Sequence, residues 1–316
     1  MVPQPLISII TPVFNGANFI VETVDSVLNA TIAIPYEYLV INDGSSDKTL
    51  EILETYGEKI RTLSHENIGE SATVNRGLEN ANGKYILIIS ADDPLLTGDL
   101  INQAVSILEA KSSVVALYPD WKIIDESGET LKINILPEYS DELMIGRCRC
   151  LPGPGVVFRK CAALKIGGRR KKWKFVGDYD FWLRLSREGK IQRLPGVLAQ
   201  WRNNQGSTSI SQRGPRMAAD RIQVIEEFVS EYELPKSLSQ EALGNAYYMA
   251  ARLAFFDSKI NGRKLLIKSF KLRQGWPKEA KVHIVIFLIL TPLSSILLKV
   301  FPKIKTRIIV ADSRRN

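Results

Sequence analysis

Tyr85-Ile-Leu-Ile-Ile-Ser-Ala-Asp-Asp93 is the stretch that decides the fold. Its apolar run is too short for a buried helix and suits a strand covered on both faces. Two adjacent acids then stand just past the carboxyl end of that strand. Outward from it, Leu6-Ile-Ser-Ile-Ile-Thr11, Tyr38-Leu-Val-Ile41 and Ile60 to Ser64 repeat the short apolar run. Between them lie segments of helical period: Phe19 to Leu28, with Ile20, Val24, Val27 and Leu28 on one stripe, then Lys48 to Tyr56 and Ser71 to Ala81. The alternation predicts an α/β fold, a mostly parallel Rossmann-like sheet with helical crossovers on both faces. Such sheets bind ligands beyond the carboxyl ends of their strands. Three loops are therefore expected to converge: Thr11-Pro-Val-Phe-Asn15, Asn42-Asp43 and Ser90-Ala-Asp92-Asp93.

Beyond Leu117 the pattern loosens, and residues 118–150 read as irregular or short β structure. Leu151-Pro-Gly-Pro-Gly155 is rigid loop chemistry, and Gly177-Asp-Tyr-Asp180 opens a helix into Phe181-Trp-Leu-Arg-Leu, since acids favour a first turn. From Arg216 the chain reads as helices over 216–231, 239–257 and 261–272. A boundary near 213 predicts an α/β domain over 1–213 and a helical, basic C-terminal region over 214–316.

With 45% hydrophobic and 24% charged residues in 316, disordered and fibrous classes are excluded. Cys148, Cys150 and Cys161 form no CxxC pair, which argues against a disulfide framework or sulfur-ligated zinc and for a reducing compartment. Met1-Val-Pro-Gln-Pro carries no secretory pattern. Charge is uneven: Gly262 to Asn316 holds thirteen Lys/Arg against Glu279 and Asp312, whereas the other 261 residues hold 29 basic and 32 acidic side chains. Such a tail suits an anionic surface. Within it, Val282 to Leu298 has 17 positions without a charge, flanked by Lys278, Lys281, Lys299 and Lys303, with Pro292 inside. A buried hairpin, an interfacial or re-entrant segment and a short span over 282–301 all fit that pattern. Membrane association is the favoured reading, giving a cytoplasmic location, peripheral or monotopic at the inner face of the cell membrane.

The chemistry begins with Asp92 and Asp93. Two adjacent carboxylates at a sheet rim are costly to desolvate without a cation, and a divalent ion bridging them to substrate phosphates removes that cost. The plain alternative is a helix cap. Asp43 offers an acceptor for a base or a ribose hydroxyl, though its run also reads as an Asx turn. No GxxxxGK[ST] occurs, and no GxGxxG follows the first strand, so a diphosphate here needs a metal rather than a glycine cradle.

Taken in order, Pro12-Val-Phe-Asn15, Asn42-Asp-Gly-Ser-Ser-Asp47, Asn67-Ile-Gly69, Asn75-Arg-Gly77, Asn82-Gly-Lys-Tyr-Ile86, Ala91-Asp-Asp93 and Gly177-Asp-Tyr-Asp-Phe-Trp182 resemble the family 2 glycosyltransferases of GT-A fold, non-processive and of the polysaccharide or lipopolysaccharide type. The resemblance covers about residues 5–205. It implies a nucleotide-diphosphosugar donor held by Thr11, Pro12, Val13, Phe14, Asn15, Asp43, Asn75 and Asp92. It implies Mn²⁺ or Mg²⁺ on Asp93 with Asp92, and Asp178 as the base that deprotonates an acceptor hydroxyl. The family's usual Glu before that base is Gly177 here. Trp201-Arg-Asn-Asn204 stands where the family often has an aromatic-Arg-x-His run, which makes Arg202 a candidate phosphate clamp.

The expected reaction is a single inverting transfer from a nucleotide-sugar to a hydroxyl of a saccharide or lipid-linked saccharide acceptor in cell-surface polysaccharide assembly. Asp180 remains open as a second carboxylate of the pocket. A sugar-1-phosphate nucleotidyltransferase and an inactive nucleotide-sugar scaffold are the rival classes; the first lacks its Gly-rich signature, and the second would tolerate loss of Asp93 or Asp178, both of which are present. Arg169-Arg-Lys-Lys-Trp-Lys174 reads as a solvated charge run or as a steering patch for a lipid diphosphate. Nucleic acid is not expected as a partner, His65 and His283 show no metal spacing, and Phe181 and Trp182 read as core.

Overall fold

The computed structural model describes residues 4–173, 175–204, 215–257 and 259–273. Two compact units emerge, Met1–Ser140 with Cys150–Arg213, and Asp141–Arg149 with Gly214–Asn316. The expected division at 213 is thus not contiguous: residues 141–149, on the sequence side of the first domain, join the second unit.

In the first unit eight strands make one sheet: β1 (Ile7–Val13), β2 (Tyr36–Asp43), β3 (Arg61–His65), β4 (Tyr85–Ile88), β5 (Val114–Ile124), β6 (Thr130–Asn134), β7 (Val157–Arg159) and β8 (Lys190–Arg202). Their order is β3-β2-β1-β4-β7-β5-β6, with β8 on β5. The first four pair in parallel, while β7 runs antiparallel to β4 and β5. The crossovers are α1 (Ile20–Leu28), α2 (Thr49–Glu54), α3 (Glu70–Asn80) and α4 (Asp99–Ala110), followed later by α5 (Lys160–Lys165) and α6 (Gly177–Leu185). Ile7, Ile9, Val40, Tyr85 and Leu87 from the strands pack with Ile20, Val24, Val27, Leu100, Ile101 and Val105 from α1 and α4 in one buried cluster. That burial explains why the parallel strands read as unbroken apolar runs.

Besides α4 and α5, two strands escape the sequence reading. β5 continues seven residues past the point where the pattern loosens, and β8 runs parallel to it for thirteen residues. Charged Lys190 and Arg193 and the Pro195-Gly196 pair hide β8, because its alternation is half-buried and its register shifts against β5.

The second unit, taken by itself, contains α7 (Pro215–Glu231), α8 (Lys236–Asp257) and α9 (Lys259–Arg273), together with a π turn over Glu142–Gly146. Met144 and Ile145 are buried there, Asn245 Nδ2 donates to the Gly146 carbonyl at 2.7 Å, and the Cys148 thiol lies 3.4 Å from the Ala242 carbonyl. The segment over 282–301 lies outside the described residues.

Candidate active site

Register brings the three expected loops together. Val13 pairs with Asn42 and Ile10 with Ile88, so the chain leaves β1, β2 and β4 at one edge of the sheet. The loop after β1 is stapled to the loop after β2. Asn15, at φ 51°, accepts from Ser46 N at 2.8 Å and donates its own N–H to Ser45 Oγ, while Gly16 N and Ala17 N donate to Thr49 Oγ1 and Asp47 Oδ2. Gly44, at φ +70°, tightens the turn; a Cβ there would stand 2.5 Å from Asn67 N.

Not all of the candidate donor residues face this edge. Thr11, Pro12 and Val13 belong to β1 itself rather than to a loop. Thr11 is fully buried, its hydroxyl 3.0 Å from that of Tyr38, and Val13 is core. This corrects their expected side-chain role, since strand alternation turns both inward. Phe14, 52% exposed, and Asn15 are the members of that run at the surface. Asp43 is buried and accepts from Ile68 N at 2.7 Å and Gly69 N at 3.0 Å, with His65 Nδ1 3.5 Å away. It therefore orders the Asn67-Ile-Gly69 loop ahead of α3. Asn75, expected at the nucleotide, instead grips Arg169: its Nδ2 donates to the Arg169 carbonyl at 2.8 Å and its Oδ1 accepts from Arg169 N at 2.7 Å. A helix-interior Asn sees its partners only through tertiary packing, which spacing does not report.

Asp92 and Asp93 follow β4 as expected. Asp93 is 6% exposed and accepts from Arg202 N at 2.7 Å. Burial, and then the neighbouring Asp92 charge, push its carboxyl up to about 8, against the pull of the Arg202 and Ser90 hydrogen bonds. Asp92 is also raised, chiefly by burial, with Asn204 and Arg202 opposing and Glu70 assisting. Asn204 Nδ2 donates to Asp92 Oδ2 at 2.6 Å, and Asn204 Oδ1 is buried without a hydrogen-bond partner. Adjacent carboxylates, one buried and one half-buried, that stay above the ordinary carboxylate range despite the nearby Arg202 charge present the chemistry a hard divalent cation satisfies. Among the described residues no cluster of three or more His, Cys, Asp or Glu forms.

Arg202 is not a phosphate clamp. It is 1% exposed; its Nε donates to the Asp92 carbonyl at 2.9 Å, its Nη1 to the carbonyls of Asp125 and Glu126, and its Nη2 to Glu22 Oε2 at 2.7 Å. Its plane lies over the Phe19 ring, 5.3 Å from the centroid. The guanidinium thus fixes the backbone that carries the acid pair. Glu22 and Phe19 were invisible as partners, because α1 reads in the sequence as an amphipathic crossover and nothing more.

Asp178 occupies the first turn of α6, exposed, with Oδ1 accepting from Tyr179 N at 2.7 Å. Asp180, two residues on, is 2% exposed and bound by Arg184 through Nε at 2.9 Å and Nη2 at 2.6 Å. Arg184 also donates to the carbonyls of Ile166 and Gly168. This removes Asp180 from the candidate pocket and makes it the anchor of α6. Phe181 and Trp182 pack on Phe158 at 5.5 Å between centroids, as core. At Gly177, where the family's usual Glu is missing, a Cβ would stand 3.2 Å from Ser71 Oγ, a tight contact that the hydroxyl can relieve by turning. Through Ser71 and Glu70, the start of α3 stands beside both Gly177 and the field of Asp92.

A family model described as Glycosyl transferase family 2 matches residues 8–161. An uncharacterised glycosyltransferase of Rickettsia prowazekii is 30% identical over 286 residues, covering 85% of this chain and 84% of that one. Chondroitin synthase of Pasteurella multocida is 27% identical over 90% of this chain but only 29% of its own length. Among solved structures, S. aureus TarS 1–349 in complex with UDP-GlcNAc superimposes with a TM-score of 0.62 at 17% identity, covering 86% of this chain and 82% of that one. The mannosyltransferase PcManGT from Pyrobaculum calidifontis, in complex with GDP-Man and Mn²⁺, gives 0.53 at 17% identity over 91% and 86%. The sheet order and its flanking helices are therefore those of a GT-A fold.

Proposed function

This chain belongs to the family 2 glycosyltransferases, and from that premise we propose that it moves one sugar from a nucleotide-diphosphosugar to a hydroxyl of a saccharide or lipid-linked saccharide acceptor, inverting the anomeric centre. The observation that carries the reading is the Asp92–Asp93 pair at the carboxyl edge of β4, Asp93 buried and Asp92 half-buried, with the Asp93 carboxyl up at about 8. Neighbouring folds hold UDP-GlcNAc in one case and GDP-Man with Mn²⁺ in another, which supports a nucleotide-sugar donor and a divalent ion here.

A divalent cation on Asp93 and Asp92 would supply positive charge against the leaving diphosphate. The chain's own groups do the rest. Asp43 and the Asn15–Ser46 staple order the loops that receive the nucleoside, and the exposed Phe14 ring offers a base a stacking face. Asp178, exposed at a helix start, takes the proton from the attacking hydroxyl. With Asp180 committed to Arg184, that turn holds one available carboxylate, which supports direct displacement over a covalent glycosyl intermediate. We place the reaction in surface polysaccharide assembly at the inner face of the cell membrane, the basic tail meeting anionic lipid. Among the described residues no helix is long and apolar enough to cross a membrane.

Thermal unfolding followed across UDP-, GDP- and dTDP-sugars, with Mn²⁺ or with chelator, tests this reading. One base class should stabilise the protein only with the ion present, and Asp93→Asn should abolish the effect. Stabilisation that survives chelator and Asp93→Asn alike would sink the metal-borne donor site.

A further inference from the structure

The chain on its way to Asp178 is tied from two sides. From α6, the helix that bears Asp178, Arg184 donates to the Ile166 carbonyl at 2.6 Å and to the Gly168 carbonyl at 2.8 Å, while Asp180 holds its guanidinium. From the second turn of α3, the Asn75 amide donates to the Arg169 carbonyl at 2.8 Å and accepts from Arg169 N at 2.7 Å. One side chain thereby makes with a main-chain residue the two bonds that a neighbouring strand would exchange. Gly168, at φ +68°, lets the amide in, because a Cβ there would collide with Asn75 Oδ1. Gly168 and Arg169 form a joint between the two helices.

Each helix brings its first turn to the chemistry. α3 starts with Glu70, and the Asp92 carboxyl, raised first by burial, is raised also by that charge. Arg169 Nη1 donates to Glu70 Oε1 at 2.7 Å, so the joint reaches this turn as well. α6 starts with Gly177 and Asp178, and a Cβ on Gly177 would stand 3.2 Å from Ser71 Oγ of α3. Phe181 and Trp182 fasten the middle of α6 to Phe158, whereas the joint governs where its first turn stands. We propose that Asn75 is a positioning residue for proton removal: its grip on Arg169 sets Asp178 against the start of α3, beside the acid pair. The proposal rests on the reading of Asp178 as the base. A displacement of about 1 Å at a reacting group costs about 10²-fold, so two hydrogen bonds remote from the substrate can govern turnover.

The test is a double-mutant cycle in the full-length chain, read as nucleoside diphosphate released from UDP-GlcNAc or GDP-Man with Mn²⁺, water serving as acceptor. Asn75→Ala should lower kcat about 10- to 100-fold and leave the donor KM within about threefold. Combined with Asp178→Asn, it should add no more than about twofold to the loss from Asp178→Asn alone, because one residue acts through the other. Gly168→Ala attacks the same grip from the opposite side and should repeat the pattern, which serves if Asn75→Ala does not fold. Losses that multiply would overturn the proposal, and so would a raised KM at unchanged kcat, the mark of a nucleotide contact. Asp178→Asn at the wild-type rate would sink the base reading and this proposal together; a slow Asp178→Asn beside an unimpaired Asn75→Ala would sink this proposal alone. Amide hydrogen exchange needs no donor: over 176–180 it should quicken at least tenfold in Asn75→Ala, and exchange at the wild-type rate would overturn the proposal.

Discussion

Asp178 and Asp180 are the same residue type two positions apart, yet the first is exposed, which suits the base proposed for it, and the second is buried against Arg184. Asp178→Asn should leave donor affinity within about threefold while turnover falls about 10²-fold or more, read by calorimetry and initial rates. Asp180→Asn leaves Arg184 buried without its charge partner and should cost about 3–5 kcal/mol in urea unfolding, because both side chains are withdrawn from water. Asp93 makes a prediction about pH. Its carboxyl is raised in the folded chain to about 8, so between about pH 4 and 8 the unfolded state releases a proton that the folded state keeps. Metal-free protein should therefore lose stability as pH climbs through that window, and Asp93→Asn should flatten this part of the melting-temperature profile. The places of Asp92 and Asp93 just past β4 and of Asp178 in the first turn of α6 were legible, since plain strand and helix signals mark those element ends. The inward turn of Thr11, the grip of Asn75 on Arg169 and the burial of Arg202 were not. They depend on partners 27 to 180 residues away in sequence, which no local pattern encodes.

Among the elements, β1 to β4 and the helices between them announced themselves through unbroken apolar runs and 3.6-residue stripes. β8 did not, because its burial follows no regular alternation and a Pro-Gly pair sits in its middle. Yet β8 delivers Arg202 N to Asp93 and the Arg202 guanidinium to the Asp92 carbonyl, so a strand with little pattern secures the acid pair. Arg202→Met keeps the length and the backbone N–H but removes the donors to the Asp92, Asp125 and Glu126 carbonyls. It should destabilise the chain by about 2–4 kcal/mol and weaken metal-dependent donor binding in parallel, whereas a phosphate clamp would lose affinity with stability intact. Calorimetric titration of donor at a temperature where both proteins are folded separates the two outcomes.

Across the whole molecule, cysteines report on the two units separately. Cys161 is exposed in the first and Cys148 is buried in the second. A thiol reagent should label Cys161 at once and Cys148 only as the helical unit opens, so peptide mapping along a urea series will show which unit yields first. The interleaving of the units also bears on how the chain is made. The Glu142–Gly146 turn leaves the ribosome some seventy residues before α7 begins, and its Met144 and Ile145 find their buried setting only when the later helices arrive. For that interval a nascent chain shows the greasy side chains of that turn uncovered. A gene cut at codon 213 would make that nakedness permanent, and chaperone capture or clumping should follow unless the turn is redesigned with polar residues.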